Sequence, residues 1–319
     1  MNSSEYLHPI EDAIGSLLSY PKSLDSLYRP IAYGLDAGGK RLRPMLTLMA
    51  ARACGTDIST AMPAAIAVEM FHNFTLLHDD VMDASPTRRG RDSVWKKWDT
   101  NTAILSGDTL FALACRKLMQ LPSDTLPAAL KMFTDSAIRV MEGQQYDMDF
   151  ESRENVTLPE YIEMIRLKTS VLLGCAAALG AIAAGADTKT ADAFYRYAED
   201  LGLAFQIQDD WLDVYADPDT FGKPIGGDIL NAKKTYLTLT CLTTDHAGAL
   251  TQAMAMPATQ ERIDAVRDIY DKAGIPRICR KAIDGYTESA LSALNEIEMP
   301  DTMRKQFTDL AQSLINRQK

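Results

Sequence analysis

Cysteine is scarce in this chain. Its five residues, Cys54, Cys115, Cys175, Cys241 and Cys279, are scattered through 319 positions with no CxxC pair. An odd, dispersed set supports neither a disulfide framework nor a zinc site, so reduced thiols in a cytoplasmic protein are expected. Positive charge is also in deficit: 33 Lys and Arg against 43 Asp and Glu leave a formal net charge of −10. Nucleic-acid binding relies on a basic surface and is excluded as a class, while an anionic ligand would need a local basic pocket or a metal. No membrane-spanning run is expected. The nearest, Val171 to Ala186 (VLLGCAAALGAIAAGA), has sixteen residues where a spanning helix needs about 20. Its Ala and Gly content predicts a core helix in close contact with a neighbour. The N-terminal MNSSEYLHPIEDAIGSLL has acidic residues and no basic-then-apolar leader pattern, so no export signal is expected.

Alternating β-branched segments are scarce too, whereas apolar residues recur at helical spacing almost throughout, which predicts an all-α protein. Breaks fall at Pro21, Gly38-Gly39, Gly55, Pro63, Pro86 with Gly90, Pro122 to Pro127, Pro159, Gly185, Pro218 to Gly227, Pro257, Pro276 and Pro300. That punctuation predicts roughly ten helices with short joints. With 46% hydrophobic residues and no low-complexity linker, residues 1–319 are expected to form one domain.

One short pattern occurs twice, as LLHDDVMD at 76–83 and as IQDDWLD at 207–213. In each copy the outer aspartates, Asp79 with Asp83 and Asp209 with Asp213, are four residues apart and share one helical face. Like charges so placed destabilise a bare helix, and a bound cation removes the penalty. Carboxylates without His or Cys partners suit Mg2+, which takes one or two of them and completes its shell with water and phosphate. Both copies lie among apolar residues, including Phe71, Leu77, Phe205 and Leu212, unlike a wholly solvated acidic face.

Three basic, glycine-bearing segments offer the counter-charge: Gly38-Gly39-Lys40-Arg41-Leu42-Arg43-Pro44, Arg88-Arg89-Gly90, and Gly222 to Asp228 continuing to Lys233-Lys234. Lys40 and Arg43 share a helical face while Arg41 points elsewhere. Six aspartates and two diphosphates repel strongly at close range. About three Mg2+ with Lys40, Arg43, Arg88, Arg89, Lys168, Lys223 and Lys233 bring such a site near neutrality.

In this order the motifs GGKRLRP, HDDVMDASPTRRG, LSGD, EGQ, LKT, FQIQDDWLDV and GKPIGGDILNAKKT resemble the trans-isoprenyl diphosphate synthases, the family of farnesyl and geranylgeranyl diphosphate synthases. The resemblance runs from about Gly38 to Thr235; residues 1–30 and the last 80 or so carry little of it. It implies a helical bundle around a central cavity and a homodimer. It also implies Mg2+ ligation by Asp79, Asp83 and Asp209, with Asp80, Asp210 and Asp213 in support. Lys40, Arg43, His72 and Arg89 match the isopentenyl diphosphate site; Arg88, Lys168, Thr169, Gln206, Lys223 and Lys233 match the allylic site. Among these, Arg88, Lys168, Thr169 and Gln206 stand closest to the chemistry. On a helical wheel Gln206 shares the face of Asp209 and Asp213, whereas Gln208 is turned about 100° away. His78 lies off the motif's face and is expected to be structural. Where the family often follows RRG with Pro-Thr and a histidine, this chain has Arg91, Asp92, Ser93, Val94 and Trp95.

The implied reaction ionises an allylic diphosphate and lets isopentenyl diphosphate attack the cation. Water must be kept out, so the loop around Arg88 and the glycine-rich segment 222–227 are expected to act as lids. A terpene cyclase would need no second diphosphate pocket, and a non-catalytic subunit should have lost charged residues from a motif; both copies are intact here. Product length is expected to follow Phe71, Phe74 and Thr75, just upstream of Asp79, with C20 favoured over C15. The wheel puts Thr75 on the aspartate face and turns Phe74 away, although the resemblance makes Phe74 part of the floor.

Overall fold

Short polar residues start the helices where backbone N–H groups would otherwise lack acceptors. In the computed structural model, which describes residues 4–17, 24–216 and 225–315, Asp57 accepts from Ser59 N–H at 2.9 Å and opens α4 (Ile58–Met82). Asp99 accepts from Thr102 N–H and opens α6 (Thr100–Leu118). A reciprocal box between Thr157 and Glu160 opens α8 (Leu158–Ile165), the arrangement that satisfies two orphan donors at once. The expected all-α class is found. Among the described residues the one sheet is a hairpin of two-residue strands, β1 (Thr87–Arg88) and β2 (Arg91–Asp92). Helical segments outnumber the ten expected, because the C-terminal part divides into several short ones.

The chain divides into two compact units. The first holds Met1–Asp135, Leu172–Tyr195 and Ile297–Arg304; the second holds Ser136–Val171, Arg196–Glu296 and Lys305–Lys319.

In the first unit α4 is the axial helix, packed against α3 (Leu42–Ala53), α6 and α1 (Ser4–Leu17), with α2 (Asp25–Leu35) and the short α5 (Val94–Lys97) alongside. Its middle, from Ala64 to Phe71, is entirely buried. The small-residue helix α9 (Val171–Ala183) meets α3 at very short range: Thr47 Oγ1 donates to the Ala176 carbonyl at 2.8 Å. A Cβ on Gly180 would collide with the Thr47 carbonyl and stand 3.0 Å from Ala50 Cβ. The expected close contact is therefore made. With α8 this helix belongs to a run, Leu158–Ala183, long and apolar enough to cross a membrane, yet 78% of its most apolar stretch is buried within the protein.

The second unit takes the C-terminal half of α7 (Leu126–Ser152), most of α10 (Thr188–Tyr215), the later helices α11 (Gly227–Leu230), α12 (Tyr236–Cys241), α13 (Ala247–Met254), α14 (Gln260–Lys272) and α15 (Ile275–Leu294), and α16 (Asp301–Ile315) from Lys305 on. Tyr197, fully buried, anchors its core by donating to the Phe307 carbonyl at 2.8 Å, with the two rings edge to face.

Candidate active site

In the first unit, Asp79 sits in the last turn of α4 and Asp83 is the C-cap, its N–H donating to the Asp79 carbonyl at 2.8 Å. Two carboxylates one turn apart repel, and a helix C-terminus already presents negative potential, so the placement favours a bound cation. Among the described residues no three His, Cys, Asp or Glu side chains converge as a ready-made metal cage. A pair of carboxylates completed by water and phosphate is how Mg2+ is ordinarily held, so the donor set fits that ion. Asp80 faces inward instead, 3% exposed, and accepts from Arg88 Nε at 2.9 Å and Nη2 at 2.5 Å. Burial pushes its carboxyl above the usual range, against the pull of Arg88.

Asp80 thereby anchors the hairpin. Arg89 and Gly90 both have positive φ, 53° and 74°, the geometry of a two-residue type I′ turn. Ser93 Oγ and Trp95 Nε1 each donate to the Ser85 carbonyl at 2.8 Å. Tyr33 Oη donates to the Asp92 carbonyl at 2.9 Å, with the Arg91 guanidinium 4.0 Å above its ring. The segment expected to be a lid is fastened at both strands, by Arg88 on β1 and by Arg91 and Asp92 on β2, with Ser93 and Trp95 just beyond.

The hairpin tip brings two basic segments together. Gly39 has φ 136°, a conformation that calls for glycine, and a Cβ there would lie 2.9 Å from the Arg89 guanidinium. Arg43, in the first turn of α3, has a buried Nε with no hydrogen-bond partner. Burial, abetted by Arg89 and opposed by Glu69, brings its pKa down to about 10. His72 lies beside the same arginines; burial first, then Arg43, Arg89 and Arg88, keep its imidazole neutral far below the ordinary value. Lys40 is exposed at the rim. Crowded guanidinium groups and an orphaned buried donor are what an anion site looks like without its anion.

Arg41, the residue expected to point elsewhere, does so. Its side chain turns under the loop to Glu11, Glu69 and the Leu35 carbonyl.

Upstream of Asp79, Phe71 is fully buried and packs with Phe74, Phe111 and Phe133 at centroid distances of 5.3, 5.7 and 5.4 Å. Phe74 stacks on Phe111 and touches His78. It lies on the flank facing α6, as the wheel indicated, yet belongs to the same aromatic cluster as Phe71. Thr75 is half-buried, its hydroxyl donating to the His72 carbonyl at 2.8 Å. His78 bonds the Ile104 carbonyl at 3.0 Å, where Gly107 leaves room for its ring. That is the structural role expected for it.

In the second unit, α10 carries Gln206, Asp209 and Asp213 at partly exposed positions, with Asp210 buried. Asp210 accepts from Tyr161 Oη at 2.5 Å and Tyr236 N–H at 2.9 Å. Burial, with the charge of Asp228, pushes its pKa up to about 7 against those hydrogen bonds. Asp213 accepts from Asp228 N–H at 3.0 Å, and its backbone carbonyl accepts from Gly226 N–H at 2.6 Å. The described end of the glycine-rich segment is thus tied to the second aspartate motif. Lys223 lies outside the described residues. Lys233 is exposed, 3.6 Å from Asp228, whereas Lys234 donates to the Phe150 carbonyl.

Lys168 and Thr169 occupy a single π-helical turn, Arg166–Ser170, between α8 and α9. Such widened turns recur at functional sites because they re-aim side chains. Two glycines make space: a Cβ on Gly143 would stand 2.7 Å from Lys168 Cα, and one on Gly202 would stand 2.8 Å from Ser170 Oγ. Lys168 Nζ donates to Asp147 at 2.5 Å, and Thr169 Oγ1 meets Gln206 Oε1 at 3.5 Å. Asp147, Tyr161, Asp228, Glu69, Phe111 and Phe133 were not singled out from the sequence. Their roles depend on partners distant along the chain; the signals nearby were the motif EGQ, which ends three residues before Asp147, and GKPIGGDILNAKKT, which contains Asp228.

A polyprenyl synthetase profile matches residues 24–273. The chain belongs to the polyprenyl synthetase family. As a member of that family it is a prenyltransferase. A geranylgeranyl diphosphate synthase of Methanosarcina mazei is 40% identical over 72% of this chain and 71% of its own. A geranylfarnesyl diphosphate synthase of Natronomonas pharaonis is 35% identical over 97% and 94%. A crystal structure of a geranylgeranyl pyrophosphate synthase superposes with TM-score 0.95 at 43% identity, covering all of both chains. Another, from Corynebacterium glutamicum and complexed with isoprenyl diphosphate and magnesium, gives 0.87 at 25% identity over 99% and 100%. Several relatives of this synthetase thus carry the names of short-chain prenyl diphosphate synthases.

Proposed function

We propose that this synthetase condenses isopentenyl diphosphate head to tail with allylic diphosphates, depends on Mg2+, and stops at C20 geranylgeranyl diphosphate, with C15 as the runner-up. The observation that carries the reading is the pairing of Asp79 and Asp83 at a helix C-terminus with the Arg43, His72 and Arg89 cluster in the same unit. Mg2+, about three ions in this reading, would be held by Asp79, Asp83 and Asp209, with Asp213 in support, and would shield charge on the diphosphates. Asp80 and Asp210 support the motifs from their buried positions. Lys40, Arg43, His72 and Arg89 hold isopentenyl diphosphate. Arg88, Lys168, Thr169, Gln206, Lys223 and Lys233 hold the allylic substrate and stabilise charge growing on its leaving diphosphate. The double bond of isopentenyl diphosphate attacks the allylic cation, and the proton then lost goes to the released diphosphate, so no side-chain nucleophile is needed.

The geranylgeranyl and geranylfarnesyl names of the relatives and the four-phenylalanine cluster both support a short product. The five cysteines, none of them in a disulfide, support a reducing, cytoplasmic setting. Exposed apolar residues on α6 (Ile104, Leu105) and on α7 (Ile138, Met141) support a homodimer. Incubation of the purified chain with isopentenyl diphosphate, dimethylallyl diphosphate and Mg2+, followed by sizing of the dephosphorylated products, tests the whole reading. Cyclised hydrocarbons made without consuming isopentenyl diphosphate would identify a cyclase. No turnover by the chain alone would identify a non-catalytic subunit.

A further inference from the structure

Arg41 stands in the chain between Lys40 and Arg43, two of the residues assigned to the isopentenyl diphosphate subsite, but cannot itself serve a substrate. It is 4% exposed, and its guanidinium is already engaged on all three nitrogens. Nε donates to Glu11 Oε1 at 2.8 Å, Nη1 to Glu69 Oε1 at 2.7 Å, and Nη2 to the Leu35 carbonyl at 2.8 Å and Glu11 Oε2 at 3.4 Å. Those acceptors come from α4, from α2 and from α1, a helix with none of the family's motifs. The backbone of Arg41 is left-handed, with φ 46°, a conformation that a non-glycine residue keeps only when its surroundings hold it there. The reversal sets the direction of Lys40 on one side and of Arg43, in the first turn of α3, on the other. Arg43 shows the opposite condition, with a buried Nε lacking any partner.

We infer that Arg41 is a positioning residue of the isopentenyl diphosphate subsite, and that Glu11 and Glu69 act on that substrate through it. The inference rests on the assignment of Lys40 and Arg43 to that subsite. Glu69 is 3% exposed and is also hydrogen-bonded by Asn73 Nδ2 at 3.3 Å, so its carboxylate is a fixed post. Glu11 forms the outer jaw, its side chain 49% exposed, on a helix held down by buried Ile10 and Ile14.

Steady-state kinetics of the full chain with Mg2+, varying each substrate in turn, test this in Arg41→Lys, Glu11→Gln and the double variant. Lysine keeps the charge but not the forked geometry. Arg41→Lys should raise the KM for isopentenyl diphosphate roughly tenfold, leaving the allylic KM unchanged and kcat within about twofold. Glu11→Gln should raise the same KM about threefold, and the double variant should match Arg41→Lys because Glu11 acts through Arg41. Lys40→Ala in the same assay separates the two levels. If it leaves the isopentenyl diphosphate KM unchanged, the subsite assignment fails and the inference with it. If it raises that KM while Arg41→Lys and Glu11→Gln behave as wild type, or shift both substrates equally, the positioning role is overturned. Should Arg41→Lys not fold, Glu11→Gln at the solvent edge decides alone.

Discussion

Gly143 of α7 touches the backbone of Lys168 in the π-helical turn, so closely that a Cβ at Gly143 would stand 2.7 Å from Lys168 Cα. Backbone cannot rotate aside as a side chain can. Gly143→Ala should therefore displace the turn, cost about 1 to 3 kcal/mol of stability, and impair use of the allylic substrate. Thermal unfolding combined with allylic KM measures both effects. An alanine variant with wild-type stability and KM would show that the turn has room to spare.

Asp79→Ala and Asp209→Ala should each lower turnover on the order of 100-fold or more, with no loss of thermal stability. Removing one carboxylate from a repulsive pair should not harm a metal-free helix. Chelation of Mg2+ should reproduce the loss in the wild-type protein. Near-normal turnover in either variant rejects the metal assignment.

Lys40→Ala should act chiefly on the KM for isopentenyl diphosphate and Lys168→Ala on that of the allylic substrate. Asp147→Asn should follow Lys168→Ala in direction, because the Asp147 carboxylate accepts from Lys168 Nζ at 2.5 Å. Equal effects of both lysine variants on both substrates would contradict two separate diphosphate subsites.

His72 should make stability fall on acidification. Unfolded, its imidazole takes up a proton near pH 6.5; folded, burial and then Arg43 and Arg89 hold uptake well below that value. Below about pH 6.5 the unfolded state binds more protons, so the contribution of His72 is full above that pH and is lost as pH drops toward the folded-state value. His72→Gln should reduce the difference in urea midpoint between roughly pH 7.5 and 5.5. An unchanged difference means the folded imidazole protonates as readily as the unfolded one.

Thr75→Phe should shorten the product and Phe71→Ala should lengthen it. Along α4, Thr75 is about 6 Å and Phe71 about 12 Å from Asp79, a separation on the order of one isoprene unit. Phe71 is 0% exposed within an aromatic cluster, so Phe71→Ala should also cost about 3 to 5 kcal/mol. Products of C30 or longer from the unmodified protein falsify the aromatic floor.

Local pattern alone was enough to identify both DDxxD motifs, their shared faces, the all-α class and many of the breaks between helices, since each depends on residues within a turn or two of one another; Pro63, expected as a break, instead lies inside α4. The same holds for His78, whose position off the aspartate face already marked it as structural. Tertiary structure decided the division of labour inside each motif. Asp80 and Asp210 read like their neighbours in sequence, yet Arg88 holds one and Tyr161, 49 residues away in the chain, holds the other, because each lies on the buried side of its helix. It also joined Phe71 and Phe74 to Phe111 on another helix, and turned Arg41 under its loop to meet Glu11 and Glu69. A buried charge must find its partner wherever the fold brings one within reach, and sequence spacing carries no record of that distance.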